Sequence, residues 1–218
     1  MHRNGILKNE IDEAFQIIKQ KKLILNAIFT HFASADSLSA HFFVQQKNWI
    51  EIKKYITDNY SSYKLLFHSA NSSTTFRVNN YEDDFARIGL ASYGYIYLNN
   101  KTNLFNLKPV MSVWANKTSS RKLTKGQKVG YSNLYTLKEN MVVSTYDIGY
   151  SDGLNWSDTT KEFHLPNNNK ILGKVSMDYI SVNTDEDEIL IFDDASHFAR
   201  RFNTIIYDIL VKMGEKSC

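Results

Sequence analysis

Strand-like stretches alternate with helical ones only about three times over the first hundred residues, whereas a closed ring of βα units takes about eight strands. This shortfall makes the first half read as an open parallel sheet with neighbours missing. Asn9 is placed to cap a helix in which Ile11, Ala14, Phe15 and Ile18 recur at helical spacing. "LILNAIFTHF" (23–32) is a near-continuous apolar run of the kind that forms a buried parallel strand. A helix is predicted over about 38–58, with Phe42, Phe43, Trp49, Ile50, Ile52 and Ile56 among lysines and glutamines. "KLLFHSA" (64–70) and "RIGLASYGY" (87–95) supply two further strands. Strand–helix–strand order argues for βα units. The polar strand ends, "THFASAD", "HSANSS" and "ARIG", mark the rim where such barrels carry chemistry.

Near residue 100 the rhythm changes. "LKPVMSVWANKT", "QKVGYSNLYT", "NMVVSTYDIGYSDG", "KILGKVSMDYISVN" and "EILIFDD" alternate with a period of two between Gly, Asn, Asp and Ser turns, the pattern of an antiparallel β domain. An amphipathic helix is predicted over about 195–213, and "DEDE" (185–188) reads as a solvated turn before a strand. The expected fold class is α/β plus β: a partial βα-barrel over 1–100, then an antiparallel β domain over 101–218 that ends in the helix. Internal repeats and low-complexity segments are absent from the sequence.

A chain of 218 residues, 43% hydrophobic and 22% charged, has ample core material for one large domain or two modest ones. Its net charge of +3 comes from lysines and arginines scattered along the sequence, a solvated surface rather than a nucleic-acid footprint. Cys218 is the only cysteine, so no intrachain disulfide forms, which fits a reducing compartment. The opening "MHRNGILKNEIDEAF" turns acidic where a signal peptide needs an apolar core, and no apolar run is long enough to span a membrane. A cytoplasmic protein is expected, with neither a membrane nor a nucleic-acid partner and with no metal-ligand set.

In chain order the sequence presents "MHRNGI" (1–6), "THFASAD" (30–36), "HSANSS" (68–73), "ARIGLASYGY" (86–95), "GQKVGYSNLY" (126–135), "DIGYSDGLNW" (147–156) and "GKVSMDYISV" (173–182). This set, in this order and at these intervals, closely resembles the alanine racemases, fold-type III pyridoxal-phosphate enzymes built from a βα-barrel and a β domain. In that family "GM.R.G" falls late in the barrel, and this sequence opens at the Met of that motif. The resemblance therefore implies the later part of a racemase, without the lysine near the first strand that forms the Schiff base with the cofactor aldehyde. Such a chain is expected to be inactive by itself. The tail departs as well, since "VKMGEKSC" stands where relatives continue into an Arg-containing segment.

Racemisation removes the α-proton from one face of the amino acid and returns it on the other, so it takes a base on each face. The resemblance implies that Tyr131 is one of them, acting from the other subunit's β domain, and that the Schiff-base lysine is the second. A phenol ordinarily ionises near pH 10 and needs nearby cations or donors to act as a base; the resemblance supplies His31, as a supporting residue, and Arg87. Arg87 matches the arginine that faces the pyridine nitrogen. An arginine stays protonated, so that nitrogen stays unprotonated and transamination is suppressed. Asn71, Ser72, Gly89 and Leu90 match the phosphate cup, although "NSS" is also an ordinary helix N-cap. Arg3 matches the arginine near the cofactor's phenolic oxygen and the substrate carboxylate. The Met177 amide matches a partner-subunit group that meets that carboxylate, Asp178 fixes its turn, and Tyr150 lines the entrance. A homodimer with shared sites follows from the resemblance.

The expected function is interconversion of L- and D-alanine through a pyridoxal-phosphate Schiff base, with D-alanine destined for peptidoglycan. Two alternatives stand beside it. One is a serine or broad-specificity racemase of the same family. The other is a non-catalytic partner that lends Tyr131 and Met177 to a longer racemase chain, or an inert fragment.

Overall fold

The computed structural model describes residues 1–37, 39–78, 82–98, 101–102, 105–154 and 162–214, and the chain divides into two units, Met1–Lys108 and Pro109–Cys218. Cys218 and residues 155–156 of the "DIGYSDGLNW" stretch lie outside the described residues.

In the first unit a 3-10 turn, Lys8–Glu10, leads into α1 (Ile11–Gln20). The N-cap is Glu10 rather than Asn9, because the Glu10 carboxylate reaches back to the Leu7 amide at 2.6 Å and closes the turn. Strand β1 (Ala27–Phe29) is shorter and less buried than its apolar run predicts; Leu23 and Ile24 are exposed. Among the described residues β1 pairs only with β2 (Leu66–His68), in parallel. Between them runs α2 (Ala40–Asn59), which buries Phe42, Trp49 and Ile56 at intervals of two turns. These pack with Ile11, Phe15, Phe32 and Phe67 into one core.

The third expected strand is not a strand. After β2 the short helix α3 (Ser72–Arg77) begins, capped by Asn71, and Arg87 makes a single parallel bridge to Asn71. The chain then turns at Gly89 into a 3-10 helix, Leu90–Tyr93, which ends at Gly94 with φ 88°. Only a residue without a Cβ takes that conformation at little cost. A two-residue ribbon follows, β3 (Tyr97–Leu98) with β4 (Lys101–Thr102).

The second unit holds β5 (Val113–Leu123), β6 (Lys128–Val129), β7 (Tyr135–Thr136), β8 (Met141–Tyr146), β9 (Phe163–His164), β10 (Lys170–Ile171), β11 (Ile180–Val182) and β12 (Glu188–Phe192). Six of them form an antiparallel sheet in the order β12-β5-β8-β11-β10-β9, while β6 and β7 form a separate ribbon. The terminal helix expected over 195–213 is instead two helices, α4 (Ala195–Arg201) and α5 (Ile206–Gly214). The break lies at Asn203, whose φ of 52° ends α4 and which belongs to the residue types that tolerate that region. Among the described residues no helix is long and apolar enough to cross a membrane.

Candidate active site

In the first unit the residues singled out from the sequence gather where β1 and β2 end. The Arg87 guanidinium is pinned there by both strands. Its Nη1 donates to the His68 carbonyl at 3.0 Å and to His68 Nδ1; its Nη2 donates to the Thr30 carbonyl at 2.8 Å and to His31 Nδ1 at 3.3 Å. A guanidinium has five N–H groups and no acceptor, so four are committed and Nε–H is left with no partner among the described residues. Since Arg87 can only donate, both imidazoles accept at Nδ1 and are the neutral Nε2–H tautomer. Electrostatics agree. Burial, then the charges of Arg87 and Arg3, hold His31 below the ordinary histidine value; burial and then Arg87 do the same to His68, against the opposing pull of Asp83.

His68 was not singled out from the sequence, although it lies in "HSANSS". Its ring stacks on Phe29 (centroids 5.2 Å apart) and on Phe85 (4.3 Å), and the Arg87 guanidinium lies 5.0 Å from the Phe29 ring centre. A histidine closing an apolar strand, with phenylalanines in neighbouring segments, is the only local signal that could have flagged it. Arg3 and His31 line a cleft of about 350 Å³ together with Phe29 and Thr30.

Asn71, Ser72, Gly89 and Leu90 also meet. Asn71 Oδ1 caps α3, accepting from the Thr74 amide at 2.9 Å. The buried Ser72 hydroxyl accepts from the Gly89 amide at 3.1 Å and the Ala91 amide at 3.3 Å. Both of its lone pairs are thereby used, which leaves its O–H to donate. The Gly89 amide is spent on Ser72 and does not serve as a free donor, whereas the Leu90 and Ser73 amides have no acceptor among the described residues. The result is a knot of donors at the start of a helical turn, which suits an anion.

The second unit brings together Tyr150, Met177 and Asp178. The Tyr150 amide donates to Ser176 O at 3.0 Å, the Ser151 amide to Met177 O at 2.9 Å, and the Ser151 hydroxyl to Asp178 at 3.1 Å. Gly149 permits this approach, since a Cβ there would lie 2.2 Å from Met177 O. The Met177 amide, at the head of the turn, has no acceptor among the described residues. Tyr131 reaches the same loop through its neighbour. Gly130, with φ 79°, packs on Gly173 and Lys174, and it turns the chain so that Tyr131 is 67% exposed at the start of a 3-10 turn.

Comparison with known proteins gives a consistent picture. The family model "Alanine racemase, N-terminal domain" matches residues 1–96, and "Alanine racemase, C-terminal domain" matches 110–217. An alanine racemase of a Nitratiruptor species is 45% identical over 216 residues, covering 98% of this chain and 63% of the relative. One from Campylobacter jejuni is 43% identical over 214 residues, covering 98% and 62%. The chain thus spans less than two thirds of the length of these relatives. Among solved structures, alanine racemase of Clostridium difficile in complex with cycloserine superposes with a TM-score of 0.81 at 22% identity, over 95% of this chain and 59% of that one. The Bacillus anthracis alanine racemase with bound L-Ala-P superposes with a TM-score of 0.77 at 23% identity, over 98% and 60%. At that identity the superpositions speak for the fold.

Proposed function

Since the chain belongs to the alanine racemase family, we propose that it carries much of the active site of an amino-acid racemase that interconverts L- and D-alanine with pyridoxal phosphate. The first unit is the cofactor-binding end of a βα-barrel. The second presents Tyr131, Tyr150 and Met177 to the site of a partner copy, so the working form is a cytoplasmic homodimer.

The donor set fits the cofactor. The Ser72 O–H and the Leu90 and Ser73 amides suit a phosphate, and the single remaining Nε–H of Arg87 suits an unprotonated ring nitrogen. Pyridoxal phosphate, when bound, supplies an electron sink that acidifies the amino acid's Cα–H. Arg87 moderates that sink, because a guanidinium can donate a hydrogen bond to the ring nitrogen but keeps its proton. Met177 N–H and Arg3 hold the substrate carboxylate, while Asp178 fixes the Met177 turn through Ser151. Tyr131, exposed on its turn, takes or returns the Cα proton on one face. The second base, the lysine that the resemblance implies, lies outside these 218 residues.

The observation that carries this reading is the Arg87 cluster, because an arginine so fully committed to strand-end groups keeps one donor for a ligand and is of little use as a surface cation. The test is a fusion of the unmatched part of the Nitratiruptor relative ahead of Met1. The fusion should racemise alanine, and the 218 residues alone should not. A fusion that folds, binds pyridoxal phosphate and leaves alanine untouched would defeat the proposal.

A further inference from the structure

Arg87 is half-buried, its charge is costly to desolvate, and among the described residues no carboxylate lies within ion-pair distance of it. A carboxylate stands one layer behind. Asp83 has a side chain only 3% exposed, and it is held from three sides: Trp49 Nε1 donates to Oδ1 at 3.0 Å, the Ser69 amide to Oδ2 at 2.7 Å and the Ser69 hydroxyl to the same oxygen, while Lys53 Nζ sits 3.4 Å from Oδ1. Ser69 directly follows His68, whose carbonyl and ring both bind Arg87. The adjacent Asp84 accepts from the Phe67 amide at 2.6 Å, so the 83–84 pair grips both sides of His68 along the backbone.

We propose that Asp83 is a positioning residue for the Arg87–His68 pair: a buried carboxylate that provides the counter-charge for the guanidinium without occupying any of its N–H groups, and that anchors the end of β2 to α2. A carboxylate touching Arg87 directly would take the Nε–H that the ring nitrogen needs. Held behind Ser69, Asp83 offsets the desolvation of the cation and leaves that donor free. Its own hydrogen-bond donors make the buried anion tolerable: burial pushes the Asp83 carboxyl up, but Ser69, Trp49 and Lys53 together bring it below the ordinary carboxylate range. The functional meaning rests on reading Arg87 as the group facing the cofactor, whereas the test below does not use activity, so the two can fail separately.

The charged and titratable groups around His68 are Arg87, Asp83 and Asp84 from the segment after α3, His31 after β1, and Lys53 of α2 through its bridge to Asp83. The experiment follows the His68 ring resonances by NMR across pH in the full 218-residue chain. Asp83→Asn, close in size, removes the charge and should move the His68 midpoint further down. Lys53→Gln, at a partly exposed position that the fold tolerates, strips the opposing charge from Asp83 and should move it up. Trp49→Phe keeps the carboxylate charge and should lower the melting temperature with the midpoint in place. A purely structural Asp83 predicts no opposite shifts. An unmoved midpoint in Lys53→Gln, or an upward one in Asp83→Asn, overturns the proposal, and Lys53→Gln decides the matter if Asp83→Asn does not fold.

Discussion

Replacing Gly149 by alanine tests how the Met177 turn is built. Gly149 has extended backbone, φ −149° and ψ −162°, so alanine meets no conformational strain there. The obstacle is contact. The added Cβ would lie 2.2 Å from Met177 O, 2.4 Å from Met177 C and 2.5 Å from Ser176 O, all backbone atoms that no rotamer change can move aside. Relief requires the 149–151 and 176–177 segments to part by about an ångström, roughly the gap between these distances and ordinary contact. That separation breaks the hydrogen bonds from Tyr150 N to Ser176 O and from Ser151 N to Met177 O. Two lost bonds at about 1 kcal/mol each, with their groups poorly re-satisfied, give a loss of about 2–4 kcal/mol. Gly126→Ala is the control: its φ of 92° imposes conformational strain, but nothing lies within 4 Å of the new Cβ, so about 1 kcal/mol is expected. Urea unfolding followed by circular dichroism reads both. If Gly149→Ala is no less stable than Gly126→Ala, the close packing of the Met177 turn is not what holds it.

Tyr131→Phe should leave stability within about 0.5 kcal/mol by the same assay, because an exposed hydroxyl with no partner among the described residues is all that is lost. Ser72→Ala strands two amide donors beneath the turn and should cost about 1–3 kcal/mol; it should also weaken binding of pyridoxal phosphate roughly tenfold or more in an absorbance titration. His31 and His68 ionise below the ordinary histidine value when folded, so the unfolded chain takes up more protons as pH drops below about 6.5. Their stabilisation is complete above that value and is lost on acidification toward the lower folded values, and a urea midpoint unchanged from about pH 7.5 to 5.5 would contradict this. Asp83 and Asp208 have lowered values, so their contribution is full above about pH 4 and disappears as pH falls through that range.

The β half was legible because short β-rich segments such as β8 and β12 lie between turn residues, and because burial alternates along β5. The first unit was less so. Ile88, Leu90 and Tyr95 make 87–95 look like a strand, yet Gly89 and Gly94 allow a bend and a 3-10 turn, and local composition does not say which wins. The apolar stripe Ala195, Phe198, Ala199, Ile206, Ile209, Leu210 and Met213 gave no warning of the break at Asn203. The motifs singled out Arg87 and Ser72, which the structure sets at strand ends and a helix start. His68 and Asp83 were not singled out, since the ring stack on Phe29 and Phe85 and the bond from Trp49 come from distant parts of the chain. An aspartate pair in a polar stretch reads as solvated until the partner that buries it is known.

The proposed role of Tyr131 as base for one face is most directly tested by α-proton exchange in D₂O, followed by NMR, with the fused racemase and its Tyr131→Phe variant. Two bases on opposite faces predict that the variant loses exchange for one enantiomer of alanine by about a hundredfold or more while the other still exchanges. Unaltered exchange for both enantiomers would show that Tyr131 moves no proton.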